Sequence, residues 1–66
     1  MIEKFMKRRE VSDLTRLSRS AIYAGMRNGT FPHTVKVGKS AVVWRALEIE
    51  AWQAARIAES RDGTAT

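Results

Sequence analysis

Three places in the 66-residue chain hold residue types that could do chemistry. Gly38-Lys39-Ser40 has the ending of a phosphate-binding loop, but that motif needs a glycine five residues earlier, where His33 stands. His33 is the single histidine of a chain without cysteine, so no second ligand of either type exists to complete a metal site with it. Glu48 and Glu50, two apart on a helix, project about 200° away from each other and cannot act as a carboxylate pair. With no thiol, no His-carboxylate arrangement and too little mass to close a pocket, the reading is a non-enzyme: no catalytic residue, no metal, no cofactor.

What remains is charge. The formal net charge is +5, and it is uneven: ten basic against three acidic residues from Met1 to Arg45, two against four from Ala46 onward. A basic front and a mildly acidic back is the pattern of a polyanion-binding face carried on a scaffold. The plainer alternative is a solvated surface that happens to be basic. Met1 to Glu10 carries Lys4, Lys7, Arg8 and Arg9 with no apolar run behind them, and Ala41 to Trp44 is the longest apolar run, so neither a signal peptide nor a membrane span is expected. The expectation is a soluble intracellular protein. Without disulfides or zinc, a domain of this size depends on packing or on a partner for stability.

The elements that must position the charges follow from spacing. Val11 and Leu14, with Leu17 just beyond, predict a short amphipathic helix over residues 7–15. Ser18 predicts the N-cap of a second helix and Gly29 its C-terminal stop. After Pro32 the period becomes two: Val35 and Val37 flank Lys36, Gly38-Lys39 predicts a two-residue turn, and Ala41 to Trp44 predicts the returning strand. A final helix is predicted from about Arg45 to Ser60. The order is helix, turn, helix, hairpin, helix: mostly α with a small β-hairpin, a winged helix-turn-helix. Residues 1–6 are read as an N-terminal extension, residues 7–60 as the domain and residues 61–66 as a disordered tail.

The second helix is thin in core residues for a reason. At about 100° per residue, Ala21, Ile22, Gly25 and Met26 share one side, and Arg19, Ser20, Tyr23, Ala24 and Arg27 share the other. The first side packs, with Gly25 admitting a close approach by the first helix. The second offers what DNA reading needs: arginine donors for guanine, hydroxyls for bases or phosphates, and a small Ala24 beside a thymine methyl. Lys36, Lys39 and Ser40 at the hairpin tip extend the same capacity to adjacent phosphates. Each taken alone has a plainer role, as solvated surface or as protection of a strand edge.

Glu10-Val11, L-S-R-S-A-I-Y at Leu17 to Tyr23, N-G-T-F-P at Asn28 to Pro32, V-K-V-G at Val35 to Gly38, Trp44-Arg45 and E-I-E-A-W at Glu48 to Trp52 resemble, in order, the AlpA family of prophage regulatory proteins. The resemblance covers about two-thirds of the chain; no piece is specific alone, and the ordered set is. It implies an excisionase-like, MerR-like winged helix-turn-helix binding double-stranded DNA through the second helix and the wing. By position, it assigns Ser18, Arg19, Ser20, Tyr23 and Arg27 to the recognition helix and Lys36, Lys39 and Ser40 to the wing; the charge of Arg45 adds it as a further phosphate or base contact. Phe31, Pro32, Trp44 and Trp52 become core and corner residues, and core duty is also the simpler reading of both tryptophans than stacking on unpaired bases. Two departures are visible. Where the family pattern has glycine stands Arg16, so either Arg16 takes a left-handed conformation or the turn differs, and Leu47 cannot supply the side-chain cap usual there.

The implied role is regulation of integrase expression, prophage excision, or both. The partners are duplex DNA, further copies of the chain on adjacent sites, and integrase, with no membrane. In the last helix Ile49 and Trp52 go to the core under this resemblance, leaving Leu47, Ala51, Ala54 and Ala58 as surface or as a contact for another protein. The rival from another class is a small adaptor or antirepressor that sets its basic face against an acidic protein.

Overall fold

A computed structural model describes the backbone of residues 2–63 and the side chains of residues 2–61. Helix α1 spans Arg8–Thr15. Its first turn is held by Glu10, whose Oε1 accepts from the Lys7 backbone N–H at 2.8 Å. The helix ends at Arg16 with φ 66°, and the Arg16 N–H donates to the Ser12 carbonyl at 2.8 Å. Arg16 therefore does take the left-handed backbone that favours glycine, the first of the two alternatives set by the sequence.

Helix α2 spans Arg19–Asn28 with both predicted caps in place. Ser18 Oγ accepts from the Ala21 N–H at 3.1 Å, and Gly29 closes the helix with φ 79°. Both ends are set by local hydrogen bonding, which is why they are readable in the sequence. The chain then reverses tightly: the Gly25 carbonyl accepts from Thr30 N–H at 2.8 Å and Phe31 N–H at 3.2 Å. This reversal, not α1, explains Gly25. A Cβ there would stand 2.8 Å from Phe31 Cβ and 3.3 Å from Thr30 Oγ1, so the close approach comes from the turn that α2 itself makes.

Three short strands form one antiparallel sheet in the order β1-β3-β2, with β1 Phe5–Met6, β2 Val35–Lys36 and β3 Val42–Arg45. β2 and β3 make the expected hairpin. Its register pairs Val35 with Val43 and Lys36 with Val42, and Val37 N–H donates to the Ala41 carbonyl at 3.0 Å. The connection is thus Gly38-Lys39-Ser40, one residue longer than the predicted two-residue turn. β1 is the element that the sequence reading left outside the domain, in its N-terminal extension. Phe5 pairs with Arg45 and Met6 with Trp44, and Met6 is buried.

Helix α3, Ala46–Gly63, follows β3 without a loop and continues three residues past the predicted end. Residues 64–66 of the predicted tail lie outside the described residues. At the start of α3, Ala46 N–H donates to the Lys4 carbonyl at 2.9 Å, so the first donor of the helix is held by the residue just before β1, while Leu47 supplies no side-chain cap. The core is one cluster, Met6, Val11, Ile22, Phe31, Trp44 and Ile49, with Leu17, Tyr23, Met26, Ala46 and Trp52 packed against it. Every layer contributes to it, so no single helix or hairpin is stable by itself. Among the described residues, no helix is long and apolar enough to cross a membrane.

Candidate nucleic-acid interface

The face of α2 away from the core carries most of the expected groups. Ser18, Arg19, Ser20 and Arg27 are exposed, while Ile22 and Gly25 are buried and Met26 half-buried. Three residues depart from the helical-wheel division. Ala21 is exposed, not packed; Tyr23 is half-buried, its ring tilted against Trp44 with centroids 6.3 Å apart. The Arg19 guanidinium lies over that ring, 5.7 Å from its centroid. Tyr23 therefore both packs against the core through Trp44 and holds an arginine by cation–π attraction. Ala24 is half-buried.

At the wing, Lys36 on β2 and Gly38, Lys39 and Ser40 in the loop are all exposed, and the Val37–Ala41 hydrogen bond holds the loop closed. α2 and the wing are joined through the reversal at residues 29–32, which both tryptophans grip. Trp44 Nε1–H donates to the Pro32 carbonyl at 3.0 Å, and Trp52 Nε1–H to the Thr30 carbonyl at 2.8 Å. Phe31 lies between them, buried, edge-on to Trp52 at 4.9 Å. These four residues set the angle between α2 and the hairpin.

Charge pairing separates the cations. Among the described residues, no salt bridge engages Arg19, Arg27, Lys36 or Lys39. Arg45, by contrast, pairs with Glu3 through Nε and with Glu48 through Nη1 at 3.5 Å. The hydrogen bond from Arg45 holds the Glu3 carboxyl below its ordinary range, helped by the guanidinium charge, and Glu3 in turn raises the pKa of Arg45. Arg45 thus has two carboxylate neighbours: Glu48 follows from i,i+3 spacing, whereas Glu3 reaches it only through β1. Arg56 is likewise paired, with Glu59 at 3.4 Å.

Two short helices, a hairpin wing and a third helix packed behind them define a winged helix-turn-helix protein, with Arg19 and Arg27 exposed on the second helix and Lys36 and Lys39 exposed on the wing. The family model described as prophage CP4-57 regulatory protein (AlpA) matches residues 4–57, and the chain belongs to that family, one of phage regulatory proteins and not of enzymes. The match begins at Lys4 and so takes in β1. Among curated proteins, the chain is similar to the uncharacterized protein ORF88 of Enterobacteria phage P4, 44% identical over 61 residues that cover 92% of this chain and 69% of that protein. No solved structure matches it.

Proposed function

We propose that the protein binds duplex DNA, with α2 in the major groove and the Gly38–Ser40 tip against the neighbouring phosphates or minor groove. The observation that carries this reading is placement: Arg19 and Arg27 on α2 and Lys36 and Lys39 on the wing are exposed without carboxylate partners, on the two elements that a winged helix-turn-helix sets against DNA. Among the described residues, Lys4, Lys7, Arg9 and Arg16 are likewise exposed and outside any salt bridge, so the field of the whole basic front attracts a polyanion while α2 and the wing meet it. In this reading Arg19 and Arg27 reach base edges or phosphates, Ser18 and Ser20 donate to phosphates, and the Tyr23 ring holds Arg19 in place. Lys36, Lys39 and Ser40 anchor the wing, and Arg45 contributes least because it must first leave Glu3 and Glu48.

The biological role that fits a phage regulator of this form is control of integrase expression, assembly of an excision complex, or both, from the cytoplasm of a bacterial host. A single module of this size covers roughly 600 to 1,000 Å² of DNA contact, so several copies on adjacent sites supply the specificity, with integrase as a candidate neighbour.

An amide-resolved NMR titration with a short duplex, repeated at higher salt, tests the reading. The expected result is salt-sensitive shifts concentrated at Ser18 to Arg27 and Gly38 to Ala41. A spectrum indifferent to DNA would sink it and favour an acidic protein as the partner of the same face. Footprinting over an integrase promoter and an attachment site then separates regulation of transcription from excision.

A further inference from the structure

Away from α2 and the wing, α3 carries two unlike apolar patches in one row. Ala46, Glu50, Gln53, Ile57 and Arg61 follow one another at i, i+4, i+7, i+11 and i+15, which places them along one face of the helix. At the start of the row, an open groove of about 650 Å³ separates α3 from α1 and β1. Its floor is apolar, with Met6, Leu14 and Ala46, and its rim carries the carboxylates of Glu10, Asp13 and Glu50 against the single cation Lys4. Leu14 is 49% exposed there, although the spacing of α1 predicts it in the core. At the end of the row, Ile57 is 55% exposed, beside Arg56 and Arg61.

One patch is an acidic-rimmed apolar groove and the other a basic-flanked apolar knob. They are seven residues apart on one helix, roughly 10 Å. A two-fold axis passing between them exchanges the two patches and so makes the face complementary to itself, which is the requirement for an isologous contact. We propose that two copies pair antiparallel through this face, Ile57 of each entering the groove of the other and Arg61 meeting the Asp13–Glu50 rim. A second copy is the occupant because the complement of the groove, in charge and in shape, stands on this same chain at the offset that two-fold pairing needs. No residue of α2 or of the wing lines either patch, so the pair leaves the proposed DNA face open. The contact is small, and its dissociation constant falls in the micromolar range or weaker.

Sedimentation equilibrium of the full chain without DNA, from about 10 μM to about 1 mM, tests this; the range brackets the affinity expected of so small an interface. The expected result is a monomer–dimer equilibrium weakened by salt. Ile57→Asp and Leu14→Ser each weaken it at least about tenfold, as loss of a central apolar anchor does. Glu50→Arg and Arg61→Glu each weaken it, and the two together restore it. Leu47→Glu, on the opposite alanine-lined side of α3, leaves it unchanged. All five positions are exposed or partly so, and circular dichroism confirms that each variant is folded. A monomer across the whole range overturns the proposal. So does a dimer that ignores Ile57→Asp and Leu14→Ser, or one that Leu47→Glu breaks. Since no DNA is present, the outcome is independent of whether the chain binds it.

Discussion

The indole N–H of Trp52 donates to the Thr30 carbonyl across 2.8 Å, tying the middle of α3 to the turn that ends α2. With the matching bond from Trp44 to Pro32, it means that the pose of α2 relative to the hairpin is set from behind, by two indoles packed against the core. Trp52→Phe keeps a ring against Phe31 while removing the donor and part of the indole's contact area. The expected loss is about 1 kcal/mol of stability, the usual size for one hydrogen bond, read as a lower urea midpoint with an unchanged slope. An unchanged midpoint would show that the bond contributes nothing.

Gly25→Ala sets two effects against each other. Alanine improves helix propensity by about 1 kcal/mol, but its Cβ would meet Phe31 Cβ at 2.8 Å, in a turn pinned by three backbone donors to the Gly25 and Met26 carbonyls. Overpacking of this kind costs about 1–3 kcal/mol, so a net loss is expected. A rise in melting temperature would show that the Thr30–Phe31 turn yields more easily than its hydrogen bonds suggest.

Arg16 is the opposite case. Its φ of 66° is strained for an L-residue by about 1–2 kcal/mol, part of which glycine gives back through the larger entropy of the unfolded chain. Arg16→Gly is expected to stabilise by up to about 1 kcal/mol in thermal or urea unfolding. Destabilisation instead would assign the Arg16 side chain a packing role that its exposure does not suggest.

The Glu3–Arg45 pair makes an acid-side prediction. Glu3 titrates lower in the folded chain than in the unfolded one, chiefly because Arg45 hydrogen-bonds its carboxylate. Its contribution is therefore complete above the unfolded value, about 4.3, and disappears as pH falls through the lower folded value. Glu3→Gln should flatten the stability profile in that acid window and leave neutral-pH stability little changed, since the pair is exposed and screened. Identical acid slopes for both proteins would contradict the pairing.

On DNA, Arg27→Ala is expected to weaken affinity with no change in stability and to reduce the salt slope by about one, from a starting value on the order of −3 to −5. Arg45→Ala is expected to do less, because its guanidinium already has carboxylate neighbours. Equal losses from the two variants would place Arg45 at the interface after all.

The parts of this fold that were legible in the sequence are those decided within a few residues. Ser18 and Gly29 bound α2 because a cap and a left-handed stop are local hydrogen-bonding events, and the change of period after Pro32 announced the hairpin. The basic character of α2 and the wing was equally plain. What tertiary structure decided was everything that depends on a distant neighbour. Phe5 and Met6 are too few to show an alternating pattern, and they become a strand only because β3 offers an open edge. Tyr23 looked outward on a helical wheel, yet Trp44, brought in by that same β3, takes one side of its ring. Arg45 looked like one more free cation until β1 delivered Glu3 to it. Local propensity sets where helices start and stop; which face is buried and which charge is neutralised depends on contacts between segments far apart in the chain, and those exist only once the core has formed.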